Sequence, residues 1–306
     1  MALPPSAAEA RLRALAVQLS PSGTPEAADD MAAALLAEWA AGPSGVALEL
    51  PALADLESAL AVNRAMAASP LAAKVGGHIG WKMGWKGAFP ERPTLCGPLF
   101  GVGLLTSGAR VSLSAMRSFS AEAEFFIVLG SALAPRSELY SETEVWGAVE
   151  TVGICIELCG ARQFASSDRL HYVADALLGC AVIRGAVIAA AAEIDPASLL
   201  TAKVTLSVGG NKISSGYATN NPVDSPLGSI TALANELCVE RGITLAAGHT
   251  VICGHCCQAA FTGTPAPNMA ENRTPNPEWG AAAWSPGDVL RAEFEGLGAV
   301  EAFLLG

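Results

Sequence analysis

Charge is what this sequence has least of. Only 15% of its 306 residues are Asp, Glu, Lys or Arg, against about a quarter in an average soluble domain, and Ala and Gly make up much of the difference. The 18 basic residues face 29 acidic ones, for a net charge of −11, and no Lys/Arg cluster is present to meet phosphates. Nucleic acid is therefore not an expected partner. Long apolar runs are missing as well. The Ala-rich stretches are broken by Glu, Asp and Arg, so no membrane span is predicted. Residues 1–10 lack the basic start and apolar run of a signal peptide. No Gly-x-Gly-x-x-Gly opens a helix after a strand, and no Gly-Lys-[Ser/Thr] loop occurs, so nucleotide cofactors are not indicated. A Gly-x-Ser-x-Gly elbow is absent too, although residue types alone leave a Ser-His-Asp arrangement open.

Cysteine is present, at positions 96, 155, 159, 180, 238, 253, 256 and 257, but eight in so long a chain make no disulfide framework. Most sit in apolar surroundings and read as reduced core thiols of a cytoplasmic protein. A chain 51% hydrophobic can bury a large core. So little surface charge in so apolar a chain also points to a homo-oligomer.

Helical spacing of apolar residues predicts helices over Ala7 to Leu19, Pro25 to Ala41 and Asp55 to Ala68, with Thr24 as an N-cap and Gly42-Pro43 and Ser69-Pro70 as stops. From about residue 78 the pattern changes to short apolar runs broken by Gly and Pro. Strands are predicted at His78–Met83, Ala121–Leu129, Gly153–Leu158, Ala181–Arg184, Lys203–Val208, Val251–Cys253, Val289–Phe294 and Ala299–Leu304. Gly209-Gly210-Asn211 reads as a hairpin turn, and helices are expected at Ser141–Glu150 and Ser225–Glu240. The plan is α+β, with a helical segment over 1–75 and a strand-rich domain over 76–306. Thr262 to Pro286 stands apart as a long Pro/Asn-rich loop, in the position of a lid or a subunit contact.

Three glutamates interrupt apolar strand runs. Glu122 and Glu124 lie two apart and so share a strand face, and Glu157 sits within Gly153 to Cys159. Carboxylates gathered on a buried face repel one another unless a cation lies between them. Oxygen ligands without His or Cys suit Mg2+ or Mn2+. A solvated strand edge would equally carry Glu122 and Glu124. In Gly80-Trp81-Lys82-Met83-Gly84, Lys82 points inward if His78 and Gly80 do, where a lysine moves protons or holds an anion. A snorkelling surface lysine is the alternative. Cys253-Gly254-His255-Cys256 has C-x-x-C spacing but not the βα context of a redox site. With His249 it also falls outside the usual zinc spacings, so it reads as a strand end whose Gly254 backbone nears the pocket.

Several of these residues recur in one order. Gly80-Trp81-Lys82-Met83-Gly84 is followed by Gly97-Pro98-Leu99-Phe100, Glu122-Ala123-Glu124, Glu157-Leu158-Cys159-Gly160-Ala161-Arg162, Val173-Ala174-Asp175 and Ser214-Ser215-Gly216. As a set they resemble the 2-keto-4-pentenoate hydratase family, within the fumarylacetoacetate hydrolase superfamily and close to 4-oxalocrotonate decarboxylases. The resemblance covers about residue 78 to 306. It implies a mixed β-roll preceded by N-terminal helices, and a divalent cation, Mg2+ or Mn2+, held by Glu122, Glu124 and Glu157. It implies Lys82 as the active-site lysine and a lyase of aromatic-compound breakdown that adds water to a 2-hydroxy-2,4-dienoate or 2-keto-enoate. Thr94-Leu95-Cys96-Gly97, Asp175-Ala176 and Ile252-Cys253-Gly254 depart from the family pattern, and 262–286 looks like an insertion. These departures spare the metal ligands and fall on the proton-transfer groups and the substrate.

Three other functions remain open on residues alone. A 4-oxalocrotonate-type decarboxylase would need a cation for the distal carboxylate, for which Arg117 or Arg162 are the candidates. A carbon–carbon hydrolase is less supported, since no His-Glu pair is evident. The last is a non-catalytic keto-acid-binding protein on the same scaffold.

Overall fold

The computed structural model describes residues 25–41, 48–86, 94–112, 118–160, 169–221, 223–262 and 280–306. The expected helix over 7–19, the Thr24 cap, Arg117, Arg162 and residues 263–279 lie outside them.

Two helices come first, α1 (Pro25–Ala41) and α2 (Leu56–Ala68). Asp55 is not the first helical residue of α2 but its cap, accepting the Ser58 N–H at 2.8 Å. Ser69-Pro70 ends α2 and also opens a 3-10 turn over Pro70–Val75. The buried stripes of the two helices, Met31, Leu35 and Leu36 against Val62 and Met66, form a cluster that also takes in Phe100 and Tyr172. The helical segment thus shares its core with the strand-rich part of the chain.

The chain continues through β1 (His78–Lys86), β2 (Thr94–Phe100), β3 (Leu104–Thr106), β4 (Ala109–Ser112), β5 (Ser118–Leu129), α3 (Glu142–Ala148), β6 (Val149–Gly160), α4 (Arg169–Ala174) and β7 (Gly179–Ala190). The hairpin β8 (Lys203–Val208) to β9 (Asn211–Tyr217) precedes α5 (Pro226–Ala234), β10 (Thr250–Thr262), β11 (Gly280–Ala283), β12 (Val289–Phe294) and β13 (Gly298–Leu305). Two mixed sheets result. The larger has the order β2-β1-β10-β5-β6-β7-β3, with β11 on β10, and the smaller the order β4-β13-β12-β8-β9.

Several elements depart from the sequence expectation, each for a physical reason. β2, which is not among the expected strands, contains Gly97-Pro98, and Pro is tolerated there because β2 is a sheet edge. β10 does not stop at Cys253. Its register against β5 shifts between Ile252 and His255, with Gly254 at φ 91, so a bulge replaces the expected strand end and the strand runs on to Thr262. The segment after Thr262 ends in β11 rather than staying loop to Pro286. The helix expected to Glu150 stops at Ala148, where β6 begins. The one expected to Glu240 widens into a π turn at Asn235. β5, β6 and β7 outrun their predicted spans.

The main core lies between the sheets. Phe125, Ile127, Ile154 and Ile156 of the large sheet meet Leu206, Leu290, Phe294 and Val300 of the small one. Phe125 and Phe294 touch edge to face with ring centroids 5.2 Å apart. The other face of the large sheet carries a smaller apolar cluster, Leu99, Phe126, Cys155, Val182 and Ile252. That second face is where the polar residues gather.

Two predictions concern this framework. A Cβ on Gly80 would lie 1.8 Å from Thr250 O at the parallel β1–β10 seam, and Gly80 has φ 148. Gly80→Ala should cost about 3 kcal/mol in urea denaturation. Gly147→Ala, helical and open to solvent, should gain roughly 0.5–1 kcal/mol. The second concerns His78, whose ring stands 5.0 Å from that of His249 and against Trp81. Burial, then the charge of a protonated His249, push the His78 imidazole down to about 4. Its folded pKa is below its unfolded value, so the stability it contributes is present above pH 6.5. Between there and about pH 4 the unfolded state binds a proton the folded state refuses, at a cost of about 3 kcal/mol. The denaturation midpoint should fall over this range, and less steeply in His78→Phe.

Candidate active site

On the second face of the large sheet, β5 and β6 run antiparallel with Glu122 directly opposite Glu157 and Glu124 opposite Cys155. Strand alternation therefore puts Glu122, Glu124 and Phe126 on one face with Cys155, Glu157 and Cys159. The sheet also curls. β1 and β7 have β10, β5 and β6 between them, yet a Cβ on Gly179 of β7 would lie 3.1 Å from Lys82 Cδ of β1. The curl carries the Lys82 ammonium to Glu157, where it donates to Oε1, and to Leu177 O at 3.1 Å. Lys82 is buried, not snorkelling, and Glu124 and Glu157 are buried too, so neither lies on a solvated edge.

The remaining contacts fix these groups. Glu124 Oε2 accepts the Gly254 N–H at 2.8 Å, a donor the bulge in β10 aims at it. Gln258, opposite Glu122 on β10, donates to Glu122 Oε1 at 2.5 Å. His255 Nδ1 stands 3.8 Å from Glu122 Oε2, a His-Glu neighbourhood the sequence did not reveal, though beyond hydrogen-bond distance. The carbonyl that receives Lys82 belongs to Ala176, Leu177 and Leu178, three successive residues with positive φ of 49, 53 and 65. Non-glycine residues there carry strain of order 1–3 kcal/mol each, so the surroundings must impose the turn. Asn63 of α2 does this: its Oδ1 accepts the Ala176 N–H at 3.1 Å while its amide donates to Val173 O at 2.9 Å and Cys96 O at 3.2 Å. On the other side, a Cβ on Gly97 would sit 2.3 Å from Ala176 O. The departure at Ala176 falls in this turn.

Electrostatics follow from burial and from charge among neighbours. Burial opposes the Lys82 charge, but Glu157, then Cys159 and Glu122, outweigh it and hold the ammonium above its ordinary range. Burial raises Glu157, Lys82 pulls it back, and Glu122 helps leave it at about 7. Burial and then the charges of Glu157 and Glu122 push Glu124 well up. As carboxylates, Glu124 Oε1 and Glu157 Oε2 are buried with no hydrogen-bond donor. A divalent cation satisfies such oxygens and removes their mutual repulsion, so these residues fit one. Among the described residues, the His, Cys, Asp and Glu groups whose donor atoms lie mutually within 4.8 Å are Glu122, Glu157 and Cys159. Glu124 shares their face but is tied by one oxygen to Gly254.

A narrow cleft opens from Glu157 and Gly179, walled by Trp39, Ile79, Leu99, Phe100, Leu104 and Val182. Trp39 comes from α1, so the helical segment contributes to the site. All eight cysteines are free, and Cys253 and Cys256 are buried in the inter-sheet core rather than gathered with His249 or His255. Sequence reading missed Asn63 and Gln258. Asn63 had a signal: a lone amide on the apolar stripe Leu60, Val62, Met66 of α2.

No protein-family model matches the chain, and no curated protein matches it in sequence. Solved structures match in shape. The 4-oxalocrotonate decarboxylase of Pseudomonas putida G7, complexed with magnesium and adipate, aligns at TM-score 0.69 and 20% identity, over 94% of this chain and 100% of that one. Its complex with calcium and acetate aligns equally well. The fumarylacetoacetate hydrolase of Exiguobacterium antarcticum aligns at 0.50 and 14% identity, over 76% of both chains. The fold is fumarylacetoacetate hydrolase-like. In this fold the curled sheet brings β1, β5, β6 and β7 around the cleft. Among the described residues no helix is long and apolar enough to cross a membrane.

Glu124→Gln tests the carboxylate cluster. The amide can keep the Gly254 contact through its oxygen, so the fold should survive. Mn2+ affinity measured by calorimetry should fall about tenfold or more, since a neutral amide does not offset a dication. Cation-free stability should stay level or rise by roughly 1–2 kcal/mol, because one of three repelling carboxylates is gone. Glu142→Gln, exposed on α3, should change neither.

Proposed function

We propose that this chain is a metal-dependent lyase that adds water to a 2-hydroxy-2,4-dienoate or the corresponding 2-keto-enoate. The observation that carries the reading is the buried Lys82–Glu157 pair beside Glu122 and Glu124, with carboxylate oxygens left unsatisfied at the head of an apolar cleft. Glu122, Glu157 and Glu124 would hold the divalent cation, Mg2+ or Mn2+. Bound there, the cation supplies Lewis-acid stabilisation of charge on the substrate's 2-oxygen. The chain's own groups do the rest. Lys82, aimed by Leu177 O, would act with a water or a neighbouring carboxylate that takes the proton from one substrate atom and returns it to the other, while the ammonium holds the developing negative charge. Gln258 fixes Glu122, and Asn63 fixes the turn that fixes Lys82. The apolar wall takes the hydrocarbon tail of a dienoate and keeps bulk water from it.

A second reading, a 4-oxalocrotonate-type decarboxylase, is supported by the full-length likeness to a protein of that name. It needs a cation for a second carboxylate: Arg117 and Arg162 lie outside the described residues, and Arg184, opposite Cys155 on β7, holds its guanidinium over the Phe126 ring at 4.4 Å on the face that carries the carboxylates.

Thermal unfolding with oxalate or a simple 2-keto acid, with and without Mg2+, tests the site. Stabilisation that requires both is expected, and metal-independent stabilisation would make the chain a binding protein. Mass analysis of products then decides the reaction. Water addition to 2-hydroxypenta-2,4-dienoate, abolished by EDTA, is expected, whereas CO2 released from 4-oxalocrotonate would assign the decarboxylase.

A further inference from the structure

Oxygen ligands alone would make this cation site hard, yet a sulfur stands among them. Cys159 comes two residues after Glu157 on β6 and so projects from the same face. Glu122 lies directly across from Glu157 on β5. The donor atoms of Glu122, Glu157 and Cys159 lie within 4.8 Å of one another, close enough for one ion to bridge after small side-chain rotations. Glu157 and Cys159 are buried, and Glu122 is half-buried. A second observation points to a ligand at the same place. Lys82 occupies Glu157 Oε1, while Oε2 of that carboxylate is buried and, with Glu124 ionised, has no hydrogen-bond donor. Cys159 itself forms no disulfide.

We propose that Cys159 is a metal ligand, making this a mixed carboxylate–thiolate site that takes a borderline cation such as Zn2+, Co2+ or Fe2+ in preference to Mg2+. The inference rests on the cation site proposed above and changes the cation expected there. Two carboxylates and one thiolate form a donor set that borderline ions accept, whereas Mg2+ keeps oxygen ligands and binds sulfur poorly. On binding, the thiol gives its proton to solvent and its sulfur to the ion, with no change of oxidation state. Glu124 shares the face with Oε1 unsatisfied but lies outside this donor group.

Cobalt is the probe, because a thiolate bound to Co2+ gives a near-ultraviolet charge-transfer absorption that carboxylates do not. Titration of the full chain with Co2+ should produce that band at one equivalent. Cys159→Ser should lose it while still binding Co2+ through the carboxylates. Calorimetry should show the preference for Zn2+ over Mg2+ shrinking about tenfold or more in Cys159→Ser. This comparison removes the general tendency of Zn2+ to bind more tightly at any site. If Cys159→Ser does not fold, loss of the band in Cys159→Ala, whose small apolar side chain needs no hydrogen-bond partner in that buried place, carries the test. Stoichiometric Co2+ binding without the band, or a band that persists in Cys159→Ser, would overturn the role of Cys159 and leave the cation site standing. If no divalent ion binds the wild-type chain, the cation site itself falls.

Discussion

The buried pair between Lys82 and Glu157 is the interaction on which the site depends. Neither charge would be tolerated alone at that depth, because desolvation costs several kcal/mol per ion. Each is there because the sheet curls far enough to bring β1 against β6 and β7. The pair in turn constrains its neighbours. Leu177 must present a carbonyl to the ammonium, which requires the left-handed turn over 176–178, and that turn requires Asn63 and the empty space at Gly97. One ion pair thus ties the first helical segment, the edge strand and the centre of the sheet into a single unit.

The pair leaves an imbalance that gives the site its chemistry. One ammonium faces three carboxylates, and only one carboxylate oxygen is used to meet it. Burial first holds Glu124 and Glu157 above their ordinary range, helped at Glu124 by the charges of Glu157 and Glu122 and at Glu157 by that of Glu122, and as carboxylates two of their oxygens have no donor. A protein seldom keeps such groups buried without a use for them. The same repulsion that destabilises the cation-free chain becomes affinity when a dication enters. The apolar wall lowers the local dielectric and so strengthens both effects.

Two faces of one sheet explain how a large core and a charged cleft coexist. Odd-numbered residues of β5, from Ala121 to Leu129, go to the inter-sheet core, and the even-numbered Glu122, Glu124 and Phe126 go to the opposite face with Glu157. The strand is buried on both sides, which is why its sequence reads as a nearly continuous apolar run interrupted only by the two glutamates. A one-residue slip would exchange Phe125 for a glutamate in the core, so the register is firmly specified.

Much was legible before the fold was known, where the cause is local. Helical spacing placed α1 and α2, Gly209-Gly210 placed the hairpin, and strand parity put Glu122 and Glu124 on one face. The α+β plan came from these. What the sequence could not show depends on long-range geometry. Pro98 hides a strand until β2 proves to be an edge, and Cys253-Gly254 looks like a strand end until the bulge shows a use for the Gly254 N–H. Asn63, Gln258 and Leu177 O reach the site from separate elements, and no local pattern links them to Lys82. Cys159 is an ordinary core thiol by composition. It becomes a neighbour of two carboxylates only because antiparallel pairing sets Glu122 opposite Glu157, a register fixed by the whole sheet rather than by either strand.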